Sequence, residues 1–246
     1  MIKFLRNIRQ QLSSEGKTSE YFKYAIGEIF LVVIGILIAL SINNWNQNRI
    51  EKQVEKRLLK ELLENLSINE KKLENSIEAE YKAIRSIEHV LNVLENQLDY
   101  NDTMDYHFGR SEFSDDIVLS STAFRSIESR GFDIIQSDSL RNSIITLFDN
   151  DYGVLISETI RLEDLFWPTA LLPMKHKHFR IKSMKDSPFN QEFGATPVNY
   201  DALLRDQQYH NMLKDRGHFR YQGADLKKDA LIKTVELKNQ IRNYLD

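Results

Sequence analysis

The chain contains no cysteine, which excludes disulfide staples, a cysteine nucleophile and thiolate metal sites. Only four prolines and nine glycines occur in 246 residues, and neither type appears between Gly35 and Gly109. So long a stretch without a helix breaker does not suit a turn-rich β fold and does suit long helix. An excess of either charge is also missing: 33 Lys and Arg stand against 36 Asp and Glu, for a net charge of −3. Without a basic footprint, no nucleic-acid partner is expected. No Gly-rich phosphate loop, G-x-S-x-G elbow or H-E-x-x-H occurs, so no cofactor, catalytic residue or metal site is expected and the chain does not read as an enzyme.

What is present is a concentrated apolar run. From Ile29 to Ile42 there is no charge, and the run extends from Tyr24 to Trp45 with Glu28 as its one charged residue. A helix needs about 20 predominantly apolar residues to cross a hydrocarbon core. Aromatic residues at both ends match interfacial anchoring, so Tyr24 and Trp45 are the expected anchors in a lipid bilayer. A buried core helix would need a polar stripe, which this run lacks. A cleaved signal peptide would leave at Ala39-Leu40-Ser41, but Glu15, Glu20 and Glu28 do not suit the short basic start of a signal. Residues 24–45 are therefore expected to form one transmembrane helix. Gly35 and Ala39 form a small-xxx-small pair, and Glu28 lies seven residues before Gly35 on nearly the same face. That face, Glu28, Gly35 and Ala39, is the expected contact face for a homo-oligomer through the span.

The flanking positive charges tie, Lys3, Arg6, Arg9, Lys17 and Lys23 before the span against Arg49, Lys52, Lys56, Arg57 and Lys60 after it. Within 1–23, Met1–Leu12 reads as a short basic amphipathic helix suited to an anionic cytoplasmic leaflet. It places the N-terminus in the cytoplasm and the large domain in the periplasm, with the chain in the inner membrane.

The segment 46–100 reads as one long helix. Leu63, Leu66, Leu73, Ile77, Ile84, Ile87, Leu91, Leu94 and Leu98 follow a heptad seam, with Glu70 and Glu80 in two of its positions. Two readings are open: an intermolecular coiled-coil stalk, giving a homo-oligomer through the long helix, or the first helix of an antiparallel bundle. Ile68, Tyr81, Val90 and Val93 widen the stripe towards the bundle. In 101–246, acidic turns at 101–118 lead to a helix over Ser121–Arg130 with Gly131 after it, then Leu140–Phe148, a turn at Asn150–Gly153, and Val154–Phe166 stopped by Trp167-Pro168. Residues 169–198 read as an irregular excursion. Asn199 caps a helix closed by Gly217, and a last helix follows Gly223–Asp225, with Leu226, Leu231, Val235, Leu237, Ile241 and Leu245 on its apolar side. The fold class is all-α: an N-terminal transmembrane helix, a long heptad-patterned helix and an antiparallel helical bundle.

The run Tyr24–Trp45 after the basic Met1–Leu12 stretch resembles the N-terminal signature of a family of uncharacterised bacterial single-pass membrane proteins. Thr122–Gly131 and Ser139–Asn142 resemble that family's soluble part. The resemblance implies membrane attachment and a helical domain, and carries no activity or catalytic residue with it.

Three smaller motifs stay bland. His176-x-His178 lacks a third ligand and stands among Lys175, Lys177 and Arg180. The basic stretch Lys175–Lys185 reads as a solvated loop. Asp149–Gly153 lacks the closing glutamate of a calcium loop. The expected role is a membrane-anchored interaction or scaffold protein with an unknown protein partner; a ligand-sensing bundle signalling through a separate membrane partner is the alternative.

Overall fold

In the computed structural model, residues 18–181 and 194–246 are described. The chain divides into two compact units, one ending at Glu55 and one running from Lys56 to Asp246. Helix α1 (Thr18–Glu95) contributes to both. Then follow α2 (Met104–Ser111), α3 (Thr122–Arg130), α4 (Asp138–Ile145), α5 (Tyr152–Phe166), α6 (Leu172–His178), strands β1 (Phe179–Ile181) and β2 (Ala195–Pro197), α7 (Tyr200–Leu204) and α8 (Gln207–Leu245). Among the described residues the fold is all-α apart from one antiparallel strand pair, in which Phe179 faces Pro197. The expected amphipathic helix Met1–Leu12 lies outside the described residues.

In the first unit, α1 carries the apolar 24–45 stretch, and it is the one described helix long and apolar enough to cross a membrane. None of its apolar window is buried by the protein itself.

In the second unit, α1 pairs antiparallel with α8. Glu95 meets Lys214 at 3.0 Å, Glu88 accepts from the Tyr221 hydroxyl at 2.7 Å, and Glu80 meets Lys227 at 2.6 Å. The second unit is therefore a bundle within one chain. The buried line of α1 is Leu59, Leu62, Leu66, Asn69, Leu73, Ser76, Glu80, Ala83, Ile87, Val90 and Leu94, in alternating steps of three and four. It shares Leu66, Leu73, Glu80, Ile87 and Leu94 with the apolar seam read from sequence. Elsewhere the fully buried residue is the preceding one: Asn69 rather than Glu70, Ser76 rather than Ile77. A polar side chain can be buried when its hydrogen bonds are met, and apolar periodicity does not register it. The Asn69 amide donates to the Ser120 carbonyl at 2.9 Å and accepts from the Ser120 N–H at 2.6 Å. The Ser76 hydroxyl donates to Asp115. Leu98 falls beyond the helix and is exposed, since α1 ends at Glu95 and Gln97, with a φ of 50°, turns the chain and lets the Leu98 N–H reach the Val93 carbonyl.

Four boundaries differ from the sequence reading. Gly217 does not close a helix, and no break precedes the last one: α8 is continuous. A Cβ on Gly217 would lie 3.6 Å from Ile87, and one on Gly223 3.5 Å from Glu80; both glycines sit where the helices approach. The Asn150–Gly153 turn is absent, because a wide π-type turn, Thr146–Asp151, carries α4 into α5. α5 ends at Phe166 as expected, but Trp167-Pro168 does not break the helical path: a second π-type turn, Trp167–Leu171, leads into α6. A wide turn tolerates the missing N–H and the ring of proline. The excursion 169–198 is therefore partly regular, with α6, β1 and β2 in it, and 182–193 outside the described residues. Residues 101–118 hold helix α2, whose Met104 and Phe108 enter the core.

Truncating Leu66 or Leu73 to Ala is expected to cost about 2–5 kcal/mol. Ile68→Ala, on the exposed side, is expected to cost within about 0.5 kcal/mol. Chemical denaturation of the detergent-solubilised chain, followed by helical circular dichroism, checks both.

Candidate functional site

The face expected in the span lies open. A Cβ on Gly35 would meet nothing within 4 Å, Ala39 is exposed and Glu28 is half-buried. The structure brings the three residues along one side of α1. The Ser41 hydroxyl donates to the Leu37 carbonyl at 2.8 Å, so its polarity is met within the helix, as an apolar environment requires. Trp45 is exposed with the Arg49 guanidinium 5.7 Å from its ring centre. Of Tyr24 only the backbone is described.

The second unit holds a feature that sequence reasoning missed: a cluster of four carboxylates and four cations with Glu80, Glu112, Arg216, Arg220 and Lys227 buried and Asp115, Glu163 and Lys175 half-buried. Glu80 from α1 is 1% exposed and accepts from Arg220 at 3.2 Å and Lys227 at 2.6 Å, both on α8. Glu163 of α5 accepts two bonds from Arg216, at 2.8 and 2.9 Å, and also pairs with Arg220. The second terminal nitrogen of Arg216, Nη2, donates to the carbonyls of Glu112 and Phe113, each at 3.1 Å. Lys175 meets Glu112 at 2.6 Å, and Lys227 lies 3.7 Å from Asp115. Burial lowers the Arg216 guanidinium to about 10 against the pull of Glu80 and Glu112, which leaves it charged at neutral pH. Burial likewise lowers Arg220, and burial raises Glu112 despite Lys175 and Arg216. These carboxylates are engaged by the protein's own cations, so the arrangement locks α1, α5 and α8 in register. The signal was present in sequence: Arg216, Arg220, Gly223 and Lys227 continue a step of three and four through α8. Taking Gly217 as a helix stop concealed it.

His176 and His178 do not converge. They sit two residues apart on α6, about 200° around the helix, so His178 is buried and His176 exposed. His178 Nε2 lies 2.8 Å from Asp206, which also accepts from Lys177 at 2.5 Å. Asp206 caps α8 by accepting from the N–H groups of Gln208 and Tyr209. Among the described residues no group of three or more metal-ligating side chains occurs. Lys175 and Lys177 are thus structural pairs, and Lys182 and Lys185 lie outside the described residues. Asp149–Gly153 is helical rather than a loop.

Burial would raise the Asp206 carboxyl, but Lys177, the Tyr209 N–H, His178 and the Gln208 N–H outweigh it and hold it well below its ordinary value. A depressed carboxylate stabilises the fold above its unfolded pKa, about 3.9, and that stability is lost as pH falls through the folded value.

Comparisons with protein families, with curated proteins and with solved structures give no match.

Two outcomes follow. Glu80→Ala leaves Arg220 and Lys227 short of their carboxylate and is expected to cost about 3–5 kcal/mol; replacing Glu80, Arg220 and Lys227 together with Leu, Met and Met is expected to cost less than that single change, measured by denaturation. Asp206→Asn is expected to lower the melting temperature at pH 7, with the gap to the unaltered chain closing as the pH is taken below about 4.

Proposed function

We propose that the chain is a single-pass membrane protein that holds a helical interaction module beside the bilayer and acts by binding a protein partner, without catalysis. The observation that supports this most is the uncovered 24–45 stretch of α1. Side chains such as Ile34, Leu37 and Leu40 are exposed, and leaving each in water costs roughly 1.5–3 kcal/mol relative to burial. Lipid, or lipid together with a second α1 laid against Glu28, Gly35 and Ala39, relieves that cost. Tyr24 and Trp45 mark the two interfaces. The resemblance of this stretch to uncharacterised bacterial membrane proteins supports an inner-membrane location, with the N-terminus cytoplasmic and the bundle periplasmic. It adds no activity.

The ligand-sensing alternative has one observation in its favour. A groove of about 480 Å³ between α4 and α8 is lined by Asn142, Thr146, Lys233, Glu236 and Gln240 over Leu147 and Leu237. That reading calls for saturable thermal stabilisation by a small polar ligand, which an interaction module does not.

Membranes from cells making the full chain, washed with alkaline carbonate, are expected to retain it, while a variant lacking residues 1–45 is expected in the supernatant. Release of the full chain would overturn the anchor. Because the chain has no cysteine, a single Glu128→Cys reports orientation: labelling by an impermeant maleimide in intact spheroplasts places the bundle outside, and protection places it inside.

A further inference from the structure

Two of the six histidines meet where α2 packs on α1. The His107 ring of α2 lies against the His89 ring of α1, with centroids 4.2 Å apart and planes tilted by 41°. Neutral aromatic rings pair at roughly 4.5–7 Å, so these two touch. His107 Nδ1 lies 3.2 Å from the Ser86 hydroxyl, one turn before His89 on α1. The Tyr106 ring stands edge-on to His107 at 5.1 Å. His107 is half-buried and His89 exposed.

Two neutral imidazoles tolerate such a contact; two imidazolium cations repel across it. The neighbouring carboxylates are engaged elsewhere. On α1, Glu78 pairs with Arg85 at 3.2 Å, Glu80 is held by Arg220 and Lys227, and Glu88 accepts from Tyr221. On α2, Asp105 accepts from the Tyr100 hydroxyl at 2.6 Å and the Thr196 hydroxyl at 2.5 Å. The remaining charges nearby are positive. Arg110 of α2 donates to the Ala79 carbonyl at 3.4 Å, and Lys82 stands seven residues before His89 on nearly the same face of α1. Strand β2, joined to α2 through Thr196, brings no titratable side chain. Burial, and then the His89 ring, holds His107 below its ordinary value.

This contact closes over apolar core. Met104 and Phe108 of α2 are 1 and 0% exposed, and the Phe108 ring lies 5.1 Å from that of Phe179 on β1.

We propose that His89 and His107 form an acid-sensitive latch: neutral, they let α2 close on α1; protonated, they loosen α2 and uncover the apolar surface beneath Met104 and Phe108. A histidine held low in the folded chain takes its proton more readily once α2 is released. The stability it contributes is therefore complete above the unfolded value of about 6.5 and is lost as the pH falls through the folded one. The Asp206 contribution is lost only below about 4, so the two windows are separate.

In the detergent-solubilised full chain, histidine C2-hydrogen exchange read by mass spectrometry gives the titration midpoint of His107. It is expected below about 6.5, and to rise in His89→Gln, a change at an exposed position. Backbone amide exchange of Met104–Ser111, corrected for the intrinsic rate, is expected to quicken severalfold from about pH 7.5 to about 5.5 in the unaltered chain. The quickening is expected to shrink in His89→Gln and to be nearly lost in His107→Asn, which keeps a nitrogen near the Nδ1 position but gains no charge. A His107 midpoint at or above the ordinary value, or equal quickening in all three chains, overturns the latch.

Discussion

Glu80 sits 1% exposed between α1 and α8, and the architecture of the second unit follows from keeping that charge paired. A buried carboxylate without a cation costs several kcal/mol. Arg220 and Lys227, seven residues apart on one face of α8, supply two. A slip of one turn between α1 and α8 would leave three charges unpaired, so the antiparallel register is specified by electrostatics as well as by the apolar seam. Arg220 also reaches Glu163, and Arg216 joins the same carboxylate, which brings α5 into the same register. Arg216 then takes the carbonyls of Glu112 and Phe113, and Lys227 approaches Asp115, so the connection between α2 and α3 is tied to the same centre.

The two units answer opposite physical demands with one kind of element. Residues from Lys56 onward turn apolar and paired polar groups inward and leave Lys, Glu and Asn in water. The 24–45 stretch of α1 turns apolar groups outward and meets the one hydroxyl between Ile29 and Ile42, that of Ser41, inside the helix. A helix of the first kind is stabilised by tertiary packing; one of the second kind needs a solvent other than water, or a neighbour.

Glycine and proline were where the sequence misled most. Gly217 and Gly223 read as breaks, yet both lie inside α8 against Ile87 and Glu80, where lack of a side chain permits approach. Pro168 read as a stop, yet a π-type turn absorbs it. The last helix shows the same effect in burial. Leu237 and Ile241 of the expected apolar side are buried, but alongside Leu226, Leu231 and Val235 the buried positions are Lys227, Ala230 and Thr234. Lys227 is held by Glu80, and the Thr234 hydroxyl bonds the Tyr152 hydroxyl at 2.7 Å.

The sequence alone determined the all-α class, the long breaker-free helix and the apolar Tyr24–Trp45 run, long enough to cross a membrane. These are local or periodic properties: composition, hydropathy and the spacing of apolar residues act through the nearest turns of helix. The bundle centre and the exposure of Ile156 and Ile160 on α5 were decided only in the tertiary structure. Whether Glu80, Arg216, Arg220 and Lys227 lie in water or in the core depends on partners as many as 147 positions away. Whether Ile156 and Ile160 are covered depends on which helices pack beside α5. Such relations exist only once the chain is folded.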